Sequence, residues 1–361
     1  MAYNATNQSF TGSPNGFDWT VPALTRCSMC VIQTLLNAAM IVAFIVRREL
    51  RTSFTIYLMF LFCANIIYAL GGYPLEVLRQ GFPNRWFLSH AACAFYIYQV
   101  WVFCPVAMHL HVLITLNRLW AISFPVSYKN IHSEKVAVLI CAGTFVYVHL
   151  VCLPLVVLDL KYHHLSDERY GCMLNTAAQN VYTTVVAIVS TDVPIVVVVG
   201  AYPFLWYKHL KRKKIGTAKP SRVEVHQTVG AATGVVSAIE PPAVVPNVLK
   251  RKSAFRRIEA SSARPFVVLT LLTVSVLVCW TPDQVMWTMS CFNAANDAPG
   301  LRYTTSVLFT LQAALDPILF ALSLRTFRKM LSRLICCCKR GVNEQPRGVK
   351  TVISLTQRDE Q

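Results

Sequence analysis

Val136 to Leu158 reads VAVLICAGTFVYVHLVCLPLVVL, twenty-three residues without an Asp, Glu, Lys or Arg. A helix needs roughly 20 predominantly apolar residues to cross the hydrocarbon core of a bilayer, so this stretch has the length and composition of a membrane span. Working outward, the same criterion finds seven spans, near 27–46, 52–75, 86–117, 136–158, 180–207, 265–292 and 303–324. The third is long enough to require a tilt. Pro74, Pro105, Pro154, Pro194, Pro282 and Pro317 interrupt six of them, which a helical bundle tolerates when neighbours or hydroxyls satisfy the freed carbonyls. The whole composition agrees: 14% of residues are charged and 55% are apolar, against about 25% and 45–50% in a water-soluble domain. No internal repeat is visible.

The chain has 34 Lys and Arg against 17 Asp and Glu, a formal charge of +17. Such an excess could suggest nucleic acid, but its placement is that of a membrane topology signal. Twenty-eight of the 34 fall on the connections after spans 1, 3 and 5, on the C-terminal tail or at Arg118. The six on the other side are Arg26, Arg79, Arg85, Lys161, Arg169 and Arg302. The positive-inside rule then places the N-terminus outside and the C-terminus in the cytoplasm. Asn4-Ala-Thr6 and Asn7-Gln-Ser9 are N-glycosylation sequons in the external tail, residues 1–26. That tail has no charged n-region or apolar h-region, so no cleaved signal peptide is expected. The longest connection, 208–264, is basic at both ends, and its Val/Ala/Pro/Gly-rich middle, about 215–249, reads as a disordered linker between clusters that meet the anionic inner leaflet or an acidic partner.

Charged groups inside spans are costly and therefore mark function. Asp316, before Pro317 in span 7, shares its depth with Asn65 and Asn37, predicting a polar hinge across three helices. Asp283 lies in the outer half of span 6, and Asp192 precedes Pro194 in span 5 with less to recommend it. Enzyme chemistry lacks its residues. His109 and His111, at i and i+2, point to different helix faces, and neither they nor His163 and His164 have the spacing of a metal site. There is no glycine-rich phosphate loop, no cofactor is expected, and residues 303–324 hold no lysine for a retinal Schiff base. Past span 7, Ser323 to Ile335 places Leu324, Phe327, Met330, Leu331 and Leu334 on one face ahead of Cys336, Cys337 and Cys338. This is the pattern of a short amphipathic helix on the inner leaflet with palmitoylated cysteines.

Taken together these residues resemble a rhodopsin-like (class A) G protein-coupled receptor over about 27–338: an all-α bundle of seven transmembrane helices with a short eighth helix in the cytoplasmic tail, 325–361. Asn37 is similar to the span-1 asparagine of that family. Trp86 and Cys93 resemble its first outer loop, and Arg118, 25 residues after Cys93, the arginine of its Asp-Arg-Tyr motif. Pro194 and Tyr202 resemble the span-5 pair, and Cys279-Trp280-Thr281-Pro282 the span-6 toggle. Asp316-Pro317-Ile318-Leu319-Phe320 resembles the Asn-Pro-x-x-Tyr hinge. The resemblance implies a Cys93–Cys172 disulfide pinning the loop after span 4 over the bundle; Cys27, Cys30 and Cys291 leave a second bridge open. It implies an extracellular ligand, outward movement of span 6, and a heterotrimeric G protein engaging near Asn117, Arg118, Leu119 and Tyr202. Arrestin, receptor kinases and membrane lipids follow as further partners, at the plasma membrane and with no role for nucleic acid.

Departures from the family pattern are informative. Asn117 replaces the acid that restrains the arginine, Ser262 offers no acid at the inner end of span 6, and Asn65 and Asp316 exchange the usual aspartate and asparagine. Ala107 replaces a span-3 serine of the sodium pocket, Met108 and Val276 the usual core-switch residues, and Phe320 the hinge tyrosine. Val100 occupies the position of the amine-binding aspartate, against an aminergic ligand held in the usual way. Glu76, Tyr96, Gln99, Trp101, Cys104, Trp280, Asp283, Gln284, Trp287 and Tyr303 form the expected pocket. Its aromatics and two acids suit a peptide or a cationic small molecule. The rivals are a seven-helix decoy or arrestin-only receptor without G protein output, and a transporter or channel.

Overall fold

The computed structural model of the chain describes residues 19–82, 86–165, 171–217, 270–291 and 299–323. Five of the expected spans come first as long apolar helices: α1 (Val21–Val46), α2 (Ser53–Gly81), α3 (His90–Ser123), α4 (Glu134–His163) and α5 (Asn180–Lys208). α6 consists of two helical pieces, Thr270–Cys279 and Thr281–Cys291, meeting at Trp280, and α7 (Pro299–Ser323) completes the seven. A short helix, Pro125–Ile131, connects α3 to α4. No strand occurs among the described residues. The sequons at Asn4 and Asn7, Ser262, the amphipathic eighth helix and Cys336, Cys337 and Cys338 lie outside the described residues. Residues 215–217, read as the start of a linker, continue the helix of α5, which runs to Thr217.

Helix starts are set by caps rather than by the edges of apolar runs. The Thr20 hydroxyl accepts from Ala23 N with Pro22 in the first turn, so α1 begins six residues before the apolar run does. Thr52 and Thr55 form a reciprocal capping box at α2, and Ser89 and Ser133 cap α3 and α4. The expected prolines act where their missing N–H demands it. α2 bends at Gly72 just before Pro74, and a widened π turn precedes both Pro105 and Pro194. In each π turn a backbone N–H reaches five residues back, Cys104 to Gln99 and Val193 to Ile188, and this loosens the helix ahead of the ring that would otherwise clash.

Around the bundle, α1 packs on α2 and α7, α7 on α6, α6 on α5, and α5 on α4, while α3 runs through the middle against α2, α4 and α5. Gly71 lets α2 approach α3 closely, since a Cβ there would stand 2.7 Å from Gln99 Nε2. The core is aromatic and aliphatic, with Phe44, Tyr57, Leu58, Leu61, Phe62 and Phe320 almost fully enclosed. The outer faces are equally apolar: Leu139 and Leu150 of α4 are each 72% exposed and Val196 of α5 is 67% exposed. In water such a surface would aggregate; in a bilayer it is the solvated face. On that face a trough of about 570 Å³ lined by Phe145, Val146, His149, Leu150, Leu153, Pro154 and Val157 opens toward lipid.

Candidate functional site

The disulfide joins Cys93 at the start of α3 to Cys172, with Cα atoms 5.5 Å apart, and Cys27 and Cys30 remain free thiols. Gly171, at φ 70°, supplies the left-handed residue that turns the loop into Cys172. The same loop is tied down from α4: Asp159 accepts from Asn175 N at 2.9 Å and bonds His164 at 2.8 Å, and Asn175 Nδ2 donates to His163 O.

Beneath this loop the expected pocket residues separate into two groups. Trp101 and Trp287 meet edge to face at 5.5 Å, joining α3 to α6. Asp283 accepts from Thr305 of α7 at 3.0 Å, and Cys104 is within its electrostatic reach. Tyr303 bonds Thr25 of α1 at 2.6 Å. The second group is engaged inside the protein. Glu76, expected as a free acid, is paired with Arg79 at 2.9 Å, accepts from Gln80 at 2.8 Å and takes the Tyr96 hydroxyl as a further donor. Gln99 is buried against Gly71, and Gln284 is nearly enclosed. Asp192, set aside on sequence, takes the Thr288 hydroxyl at 3.2 Å and so links α5 to α6.

One residue at this end stands where the sequence did not place it. Arg26, counted as a flank of span 1, lies within α1 and is 8% exposed, donating to Ser306 of α7. The signal was available: an arginine only one residue outside an apolar run needs a cap upstream to be drawn into the helix, and Thr20-Val21-Pro22 is that cap.

Midway down the bundle the polar cluster expected across three helices is present and extends to five. Asn65 Nδ2 donates to Asn37 Oδ1 at 3.1 Å and to Asp316 Oδ2 at 3.3 Å, and Asn37 Nδ2 donates to the carbonyls of Gln33 and Ala313. Two further helices join. His111 Nε2 of α3 lies 3.0 Å from Asp316 Oδ2, with both side chains almost fully buried. Gln312 Nε2 donates to Asp316 Oδ1 at 2.8 Å and to Ser275 Oγ of α6 at 3.1 Å. The carboxylate of Asp316 therefore has three side-chain donors from α2, α3 and α7, and five helices share the network. Above it the Trp280 ring stands edge-on to the His111 imidazole at 4.7 Å and tilts against Phe309 at 6.1 Å; Pro282 starts the next helical piece. Below it Phe320 packs edge-on to Phe62 at 6.1 Å. The rule that a charged side chain inside a span marks function covers histidine as well as carboxylates, and so points to His111.

At the opposite end from the disulfide, the Arg118 guanidinium lies 3.0 Å from the centre of the Phe54 ring, a cation–π contact. Among the described residues no carboxylate pairs with Arg118, and its Nε has no hydrogen-bond partner. Asn117 is held instead by the connection to α4: its Nδ2 lies 2.8 Å from His132 Nε2, and its Oδ1 accepts from Tyr128 at 3.2 Å. The Tyr57 hydroxyl reaches the same His132 nitrogen at 3.0 Å. Burial, reinforced by the nearby Arg118 charge, pushes His132 below the ordinary imidazole range. Leu119 packs with Ile122, Ala201 and Leu205, and Tyr202 stacks near Trp206 on α5.

Comparison with known proteins gives the same architecture. A family profile described as 7 transmembrane receptor (rhodopsin family) matches residues 36–320. Among curated proteins, a D(1)-like dopamine receptor of Oreochromis mossambicus is 24% identical over 347 residues, covering 91% of this chain and 83% of the relative. Melatonin receptor type 1B-B of Danio rerio is 24% identical over 342 residues, covering 91% and 87%. The 5-hydroxytryptamine receptor 1B of Equus caballus is 21% identical over 346 residues, covering 88% and 86%.

Proposed function

Because the chain belongs to the rhodopsin family of seven-transmembrane receptors, we propose that it binds an extracellular ligand at its disulfide end and activates a heterotrimeric G protein at its Arg118 end. The observation that carries this reading is the contact chain from Trp280 through His111 to Asp316, which couples α6, α3 and α7 halfway between the two ends. A ligand that favours one arrangement of Trp101 and Trp287 biases α6, and α6 touches the polar network through both Trp280 and Ser275. A population shift then needs only differential affinity: each 1.4 kcal/mol of preference for the outward position of α6 changes the equilibrium about tenfold. Arg118, stacked on Phe54 with no described carboxylate to hold it, is available to the G protein when α6 moves. The chain acts as a receptor at the plasma membrane with its N-terminus outside, glycosylated at Asn4 and Asn7 and palmitoylated at Cys336, Cys337 and Cys338. Arrestin and receptor kinases meet the same cytoplasmic face.

Relatives are named for dopamine, serotonin and melatonin, but Val100 removes the acid that would hold an amine in the usual place. Asp283 is the acid that serves a cationic group on a peptide or small molecule here. Asp283→Asn is expected to weaken activation by such an agonist; an unchanged concentration response removes Asp283 from the pocket.

The receptor reading is tested by ligand-free G protein activation in cells, across the main Gα classes, comparing wild type with Arg118→Ala at matched surface expression. A basal signal lost in the variant is the expected result. A basal signal that survives the substitution overturns the role of Arg118, and absence of any signal with intact arrestin recruitment favours the arrestin-only reading.

A further inference from the structure

Arg26 is a buried cation that no carboxylate pairs among the described residues. It sits in α1, 8% exposed, and its guanidinium has one described hydrogen bond, to the Ser306 hydroxyl. A guanidinium has five donors in a planar fork. Asp283 and Glu76 are within its electrostatic reach, yet among the described residues no carboxylate lies within 4.0 Å of it. Each of those acids already has other partners: Thr305 donates to Asp283, and Arg79, Gln80 and Tyr96 enclose Glu76. A cation inside a membrane span is costly unless it is paired, and a chain that keeps one there uses it. Its position is also telling. Ser306 adjoins Thr305, the partner of Asp283, and Thr25, the residue before Arg26, bonds Tyr303 of the expected pocket. Arg26 and Asp283 therefore present opposite charges at one end of the bundle, and Trp287 lies one helical turn beyond Asp283 on the same helix.

We propose that Arg26 is the anchor for a carboxylate on the ligand, so that the site takes a molecule bearing both an acidic group, for Arg26, and a cationic group, for Asp283. The inference rests on the receptor reading and narrows its ligand from a cation to a zwitterion with an aromatic or apolar body. A small amino-acid-like molecule and the free terminus of a peptide share this chemistry.

The test reads binding alone, by thermal melting of purified full-length receptor in lipid nanodiscs, so that it stands or falls independently of G protein output. Three probes share one ring: phenethylamine carries only the cation, 3-phenylpropionate only the carboxylate, and phenylalanine both. A dipeptide ending in phenylalanine and its C-terminal amide distinguish a peptide terminus from a free amino acid. Wild type is expected to be stabilised at millimolar concentration most by phenylalanine or by the dipeptide acid, and about tenfold more weakly by the probes lacking a carboxylate. Arg26→Gln should remove that difference and Arg26→Lys should retain part of it, while phenethylamine should bind Arg26→Gln at least as well as wild type, because a positive charge within reach of Asp283 has been removed. Without any probe, Arg26→Gln should melt at or above wild type, because an unpaired buried cation has been removed. Equal stabilisation with and without the carboxylate, no stabilisation by any carboxylate-bearing probe, or a ligand-free Arg26→Gln that melts well below wild type would overturn the proposal.

Discussion

Asp316 and Arg26 are both buried charges in the same bundle, and their surroundings are opposite. Asp316 is 1% exposed and receives donors from Asn65, His111 and Gln312, so its oxygens are satisfied from three helices. Arg26 is 8% exposed and, among the described residues, has a single hydrogen-bond partner, Ser306. A buried polar group saturated by its own protein holds helices in register, whereas one left short of partners keeps capacity for a further one. Under the proposed function, the saturated network transmits and the end that holds Arg26 receives. Glu76 reinforces the lesson, because an acid at the receiving end that looks available in the sequence is already filled by Arg79, Gln80 and Tyr96.

Breaking the saturated region should have the largest effect. His111→Leu leaves the Asp316 carboxylate without its imidazole and should cost about 3–5 kcal/mol, read as lost surface expression and a lower melting temperature. Adding Asp316→Asn to His111→Leu should recover much of that loss. If the single substitution is nearly neutral, the pair does not hold α3 to α7 and the contrast with Arg26 disappears. The disulfide end comes next. Cys93→Ser or Cys172→Ser, each opening a loop with a sequence separation of 79, should cost about 2–5 kcal/mol and impair ligand response or surface expression. Normal expression and affinity in both would show that the loop over Arg26 and Asp283 needs no staple.

The smallest effect sharpens the comparison with an intermediate case. His132 has Asn117 and Tyr57 at Nε2 while its Nδ1 lacks a described partner. Its folded pKa lies below the unfolded value, because burial and then Arg118 disfavour the imidazolium. Its neutral-form hydrogen bonds are therefore fully present above about pH 6.5 and are lost as pH falls through the lower folded value. Hydrogen exchange of residues 125–132 between pH 7.5 and 5 should report a loosening worth no more than about 1 kcal/mol, absent in His132→Gln. Loosening that persists in the variant would assign the effect to another group.

Much of the architecture was legible in the sequence because bilayer thickness fixes the length of a span and lysine and arginine mark connections, both of which are local properties. A helix stands at each of the seven expected spans, with ends that differ by up to ten residues. Ends differed where hydroxyl caps at Thr20 and Ser89 outranked the edge of an apolar run. Within the site, Asn37, Asn65 and Asp316 were found together because depth can be counted along a helix. Tyr96 and Gln99 were expected in an open pocket and are buried against α2, since the facing of a residue depends on helix rotation and on the π turn at Gln99–Phe103.

The sequence by itself determined seven apolar spans, the Cys93 to Arg118 interval and the depth of the polar cluster, all set by counting along one chain in a solvent of known thickness. Only the tertiary structure decided which charges are paired. His111 meets Asp316 across a separation of 205 residues, and Arg26 meets Ser306 across 280. Whether a buried charge is satisfied depends on which faces of distant helices turn toward each other, and that orientation is set by the packing of the whole bundle.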